Sequence, residues 1–253
     1  MVGVRAAALG LGMMLPAGTG ALAAECNRFA LRIATDPIPY QHVHGLEKTS
    51  TLLAAIPRMA DAIYIGDSLV EFWPQDMIAR QFPAERIWNI GVGGGETQTT
   101  LWLLDQIKAP QLRPRRLFVL VGTNNLTHES MPACAIAAGI KAVVLAARAK
   151  WPAARIDIMG VPPRGRDFHF RDADRLAVNR QLQAWSRTID DTRYFEVDAA
   201  DLTCGRYDAA GSVKAADSGT GRASGNPCIN YADDFGHFRR PGYDVIFSAM
   251  PRR

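Results

Sequence analysis

The sequence predicts an α/β protein, with a parallel sheet covered on both faces by helices. Two observations predict it. Five short, nearly unbroken apolar runs, at 62–65, 87–90, 117–121, 156–159 and 194–197, have the length and composition of strands buried on both faces. Segments of helical length and spacing lie between them, and strand–helix alternation of that kind builds a parallel sheet.

The elements follow in order. A helix over 46–56 precedes the first strand, 62–65. The spacing then predicts a helix over 69–80, the second strand, and a helix over 97–107. The third strand leads into a helix over 133–149, the fourth into one over 175–188. After the fifth strand, a helix over 241–250 closes the chain, with Pro241 at a first-turn position. No internal repeat interrupts the series. Residues 205–225, rich in Gly, Ala and Ser, read as a surface loop.

The first two dozen of the 253 residues have a different character. Arg5 precedes an apolar stretch over 6–15, and Ala21-Leu22-Ala23 follows as a small-x-small cleavage site. That is the order of a secretory signal, expected over 1–23, with a single domain over 24–253. The apolar core is too short and too interrupted by Gly and Pro to span a membrane, so an exported protein, periplasmic or secreted, is expected. A formal net charge of +4, spread along the chain, gives no reason to expect nucleic acid as a partner.

Four cysteines, Cys26, Cys134, Cys204 and Cys228, allow three pairings in an oxidising compartment. The loop composition between Cys204 and Cys228 favours that pair, which leaves Cys26 with Cys134. No pair has CxxC spacing and no histidine clusters with them, so no zinc site is expected. His42 and His44, beside Pro37 and Pro39, read as loop residues.

In open parallel sheets ligands bind beyond the carboxyl ends of the strands. Here Gly66-Asp67-Ser68 follows the first strand and Gly91-Val92-Gly93-Gly94-Gly95 the second. Gly122-Thr123-Asn124-Asn125 follows the third, and Val161-Pro162-Pro163-Arg164-Gly165 the fourth. A strand ending in Gly, then an acid, then a serine opening a helix can mount a nucleophile, because free amide donors lie beside the hydroxyl. Alone the triplet is also ordinary turn chemistry. Near the C-terminus Asp234-Phe235-Gly236-His237 offers a base with an acid three residues earlier; taken alone it reads better as a surface Asp with a loop His, and its place just before the last helix brings the two readings level. The glycine loop after the second strand can point an N–H inward, and Asn124 can add an uncharged N–H₂ donor. A dinucleotide loop fits poorly, because glycine is absent from the sixth position and the segment follows the second strand.

Taken together, Gly66-Asp67-Ser68, Asn89-Ile90-Gly91-Val92-Gly93-Gly94, Gly122-Thr123-Asn124-Asn125 and Asp234-x-x-His237 resemble the four consensus blocks of the SGNH (GDSL) hydrolase superfamily. Order and approximate spacing are kept over about 180 residues. The likeness is greatest to its platelet-activating-factor acetylhydrolase branch, with Pro163-Arg164-Gly165 as a further shared segment. The resemblance implies a three-layer α/β/α sandwich with a five-stranded parallel sheet of flavodoxin-like topology, and ester hydrolysis through an acyl-serine. It implies Ser68 as nucleophile, His237 as general base, Asp234 as its orienter, and the Ser68 N–H, Gly94 N–H and Asn124 side chain as oxyanion hole. No cofactor or metal is implied. The chain departs from the pattern at Gly95-Glu96, where the family often has Asp, and in the cysteine-bracketed insertion before Asp234.

The expected activity is that of an exported serine esterase removing small acyl groups, acetyl above all, from a saccharide or cell-envelope glycan. A short-chain lipid ester or thioester is the enzymatic alternative, and a catalytically silent glycan-binding module the alternative of another class. Arg164 and His128, after the fourth and third strands, are candidates for the substrate rim, with Arg164 steering an anionic substrate.

Overall fold

The structure, a computed structural model, describes residues 26–204 and 228–251. The expected signal over 1–23 and the interior of the 204–228 loop lie outside the described residues.

Five parallel strands form one sheet: β1 (Ala62–Gly66), β2 (Ile87–Asn89), β3 (Arg116–Leu120), β4 (Arg155–Met159) and β5 (Thr192–Phe195). Their order, β2-β1-β3-β4-β5, is the flavodoxin-like order the resemblance implies. The described helices are α1 (Arg28–Thr35), α2 (Val43–Ala54), α3 (Ser68–Glu71), α4 (Gln75–Gln81), α5 (Thr97–Gln106), α6 (Ala133–Lys150), α7 (Asp172–Ser186), α8 (Ala199–Leu202) and α9 (Arg240–Ala249).

Side chains alternate across a strand, so the apolar runs feed two cores. Ile63, Ile65, Leu117, Val119, Ile156 and Ile158 pack against α1, α2, α5, α6 and α7. Ala62, Tyr64, Phe118, Leu120, Met159 and Phe195 pack on the other face against α3, α4, α8 and α9. Three layers result, and every residue of β1 is buried. At the amino end of the sheet Asp157 is buried but paired, with Arg116 Nε at 3.0 Å and Arg193 Nε at 2.9 Å.

The expected helix over 69–80 is two helices. Proline has no N–H to donate and bars its predecessor from helical geometry, so the chain leaves α3 at Phe72 and re-enters at Pro74, the cap of α4. The fifth strand starts earlier than its apolar run and ends at Phe195. It is an edge strand whose Arg193 reaches inward to Asp157, so polar residues serve in it. Helices α1 and α8 were not expected. Asn27 caps α1 by accepting the Phe29 N–H at 2.9 Å, and only Ala30 and Ala34 of this helix are buried. Both expected disulfides are present: Cys26–Cys134 ties the start of α1 to α6, and Cys204–Cys228 closes the loop after α8.

Candidate active site

The chain runs from β1 outward to β2 and then crosses to β3 on the other side of β1, so the strand order reverses between β1 and β3. The segment that leaves β1 there begins at Gly66. A Cβ at that position would lie 2.0 Å from the Leu120 carbonyl oxygen and 2.4 Å from Val70 Cγ2, so only glycine lets β3 and α3 close on it. Asp67 then caps α3, its Oδ1 accepting the Leu69 N–H at 2.9 Å. Ser68 is the first helical residue, and its own N–H has no acceptor among the described residues.

His237 arrives from the far end of the chain. Its Nε2 is 2.8 Å from Ser68 Oγ and its Nδ1 is 2.5 Å from Asp234 Oδ2. Asp234 Oδ1 accepts the backbone N–H groups of Gly236 (2.9 Å) and His237 (3.0 Å), so one carboxylate shapes the turn and orients the ring. Burial works against ionisation of Asp234, but these three hydrogen bonds outweigh it and draw the carboxyl down to about 2. An ionised acceptor at Nδ1 fixes that proton and leaves the Nε2 lone pair for the serine hydroxyl. A bond from the Ala232 N–H to the His237 carbonyl oxygen (2.8 Å) holds the loop in place ahead of α9.

The glycine loop after β2 is tied to α3. Asn89 donates to the Val70 carbonyl oxygen (2.7 Å) and accepts the Gly91 N–H (2.9 Å), and Glu71 Oε2 accepts the Gly93 N–H (2.5 Å). Gly94 has φ 70°, and its N–H has no acceptor among the described residues. Asn124 Nδ2 donates to the Gly95 carbonyl oxygen at 2.9 Å, which joins the loops after β2 and β3 and leaves one amide hydrogen without an acceptor among the described residues. Behind it the buried Asn125 accepts the Thr97 N–H at 3.0 Å and so caps α5.

Ser68, Asn124, Arg164, Phe170, Asp234 and His237 share a cleft of about 280 Å³. Arg164, one of the two residues expected at the substrate rim, thus lines this cleft. His128, the other, is not among the residues that line it, and its Nε2 stands 3.0 Å from Glu96 Oε2. A larger cavity of about 530 Å³ beside Trp151, at the amino ends of the strands, is lined by no serine, cysteine or histidine. Asp67 is wholly buried under the serine, and burial pushes its carboxyl up to about 7 against the Leu69 N–H, His237 and Arg164. His42 Nδ1 accepts the Gly45 N–H and His44 faces Glu71, so both histidines serve the segment that covers the glycine loop. Among the described residues no three His, Cys, Asp or Glu side chains converge to hold a metal ion. Among them, too, no helix is long and apolar enough to cross a membrane.

Sequence reasoning missed Glu71 and Phe170. Glu71 stands one helical turn after Ser68, where a carboxylate reaches the neighbouring loop, and that spacing was the available signal. Phe170 carried none, since its place depends on the turn at Gly165.

The model of the GDSL-like lipase/acylhydrolase family matches residues 64–245. The bovine platelet-activating factor acetylhydrolase IB subunit alpha1 is 34% identical over 157 residues, which cover 60% of this chain and 66% of the relative. The rat alpha2 subunit is 31% identical over 139 residues, 54% of this chain and 59% of the relative. The chain thus spans slightly less than two thirds of the length of these curated relatives. A GDSL-like lipase from Bacteroides thetaiotaomicron superposes with a TM-score of 0.56 over 80% of this chain and 93% of that one, at 14% identity, and shares the fold.

Proposed function

The chain belongs to the GDSL-like lipase/acylhydrolase family, and on that premise we propose that it is a serine ester hydrolase with Ser68 as nucleophile. The observation that carries the reading is the relay from Asp234 through His237 to Ser68, with both hydrogen bonds already formed. As Ser68 Oγ attacks the ester carbonyl carbon, His237 Nε2 takes its proton. The carbonyl oxygen becomes an oxyanion, received by the Ser68 and Gly94 N–H groups and the free Asn124 amide hydrogen. Collapse breaks the bond to the alcohol oxygen, which leaves with the proton from His237. Water then attacks the acyl-serine, giving one proton through His237 back to Ser68 and releasing the acid.

Small acyl groups, acetyl above all, suit a cleft of about 280 Å³, and the relatives named acetylhydrolases support that size. Polar walls at Asn124, Arg164 and Asp234 favour a saccharide as the alcohol. Two disulfides favour an exported enzyme acting on envelope or extracellular glycan. One observation supports a second reading, a short-chain lipid ester: Phe72 is 49% exposed with its ring 5.3 Å from that of His237.

The test compares p-nitrophenyl acetate, butyrate and octanoate, with Ser68→Ala as control. Ser68-dependent release falling steeply from acetate to octanoate is expected. A flat profile would overturn the preference for small acyl groups, and no Ser68-dependent release from any of the three would overturn the esterase reading.

A further inference from the structure

Of the charged side chains on the cleft wall, Arg164 is the one without a charged partner among the described residues; Asp234 has His237. Arg164 Nη1 donates to the Thr123 carbonyl oxygen (3.1 Å) and to Thr123 Oγ1 (3.2 Å), both neutral acceptors. Its Nε and Nη2 have no acceptor among the described residues. The guanidinium carbon stands 4.8 Å from the centre of the Phe170 ring, which holds the fork from one side.

The backbone is bent to put it there. Gly165 takes φ 84°, and a Cβ on it would meet Phe170 Cβ at 2.6 Å, so glycine is needed for Phe170 to fold back. The Phe170 N–H then bonds to the Arg164 carbonyl oxygen (3.2 Å). The Gly165 N–H bonds to the Phe235 carbonyl oxygen (2.8 Å), fastening this turn to the Asp234–His237 loop.

Taking a guanidinium partly out of water costs free energy that two neutral acceptors return only in part. Burial lowers its affinity for the proton, while Asp67 and Asp234 act the other way from beyond contact distance. A planar fork, half desolvated, held by an aromatic ring and with two donor nitrogens unused, matches a planar or tetrahedral oxyanion group. We infer that Arg164 is an anion-binding subsite, and that the natural ester carries a carboxylate, sulfate or phosphate close to the scissile bond. This rests on Ser68 being the nucleophile, and it narrows the substrate to an acylated acidic compound.

The experiment uses two pairs of esters. With 4-acetoxybenzoate against its methyl ester, the anion is on the alcohol side. With p-nitrophenyl hydrogen succinate against p-nitrophenyl butyrate, it is on the acyl side. The quantity read is the anionic-to-neutral ratio of kcat/KM, whose change on mutation cancels intrinsic reactivity. Arg164→Gln is expected to lower that ratio by about tenfold or more in one pair, the worth of a charge-assisted hydrogen bond. Arg164→Lys should keep part of it, having the charge without the fork. In the unmutated protein benzoate should inhibit more tightly than benzamide, which needs no variant to fold. Unchanged ratios in both pairs, or equal inhibition by the two, overturn the subsite and leave the esterase standing. Hydrolysis of the neutral esters that survives Ser68→Ala would instead remove the nucleophile assignment.

Discussion

The Glu71 carboxylate accepts the Gly93 backbone N–H at 2.5 Å, across the two segments that leave β1 and β2. The Glu71 side chain is 8% exposed and also faces His44 Nε2 at 3.0 Å and Lys48 Nζ at 3.4 Å. Burial would raise its pKa, but His44, the Gly93 N–H and Lys48 outweigh that and hold the carboxyl below its usual range. A charged acceptor thus sets the peptide next to Gly94, whose N–H is one of the proposed oxyanion donors. Glu71→Ala should lower kcat on p-nitrophenyl acetate by about tenfold with KM little changed, because the lost interaction acts on the transition state. Glu71→Gln keeps a neutral acceptor and should recover most of the rate. An unchanged kcat in the alanine variant would mean that the loop is held by its other bonds.

Asp67 gives a second prediction, on stability. Its Oδ2 is buried with no hydrogen-bond partner among the described residues, and burial places its carboxyl at about 7 against an ordinary 3.8. The titratable groups around it are His237, Arg164, Tyr40 and Tyr243. A raised carboxyl means the folded state keeps a proton that the unfolded chain releases. The contribution is therefore complete below about pH 4 and is lost as pH rises through about 7. At 1.36 kcal/mol per unit the loss is on the order of 4 kcal/mol. Denaturant unfolding at pH 5 and pH 8 reads the larger part of it, about 3 kcal/mol, since some is already lost by pH 5. Asp67→Asn should flatten that difference, whatever its absolute stability; an equal slope in the variant would assign the effect to other groups.

The five apolar runs marked the strands because a strand buried on both faces admits few polar side chains, and the Ser68, Gly94, Asn124 and His237 segments followed from their places after strands or before α9. What lay hidden was long-range. Helix α1 buries only two alanines, too little for an apolar stripe, and is tethered by a disulfide to a residue 108 positions away. The break at Pro74 was written in the sequence but overridden by the apolar spacing of 69–80. The places of Glu71, Phe170 and His128 depend on which loops meet at the strand ends. That is a property of the sheet order rather than of any local window.

The Cys26–Cys134 disulfide should act on stability without entering the chemistry. It closes 108 residues, for which loop entropy gives a stabilisation of about 4–5 kcal/mol. Neither cysteine lines the cleft. The double variant Cys26→Ala/Cys134→Ala should unfold at markedly lower denaturant concentration while hydrolysing p-nitrophenyl acetate at 20 °C. A comparable loss of both would mean that α1 also holds the glycine loop in position.

The sharpest test of the relay is Asp234→Asn. In the native turn Oδ1 accepts two backbone N–H groups, from Gly236 and His237, while Oδ2 accepts from the His237 ring. An asparagine there keeps the turn only by giving its carbonyl oxygen to the two amides. Its NH₂ then faces Nδ1, which must become an acceptor, so the ring proton moves to Nε2 and points at Ser68 Oγ. That tautomer cannot take the serine proton. In a serine triad the same change costs on the order of 10⁴ in kcat with the geometry kept. The expected outcome here is a fall of that order with the melting temperature nearly unchanged. Asp234→Ala, which also empties the turn of its acceptor, should lose both rate and stability. If Asp234→Asn kept kcat within tenfold while Ser68→Ala abolished it, Asp234 would be a turn-former alone, and His237 would have to be oriented by something else.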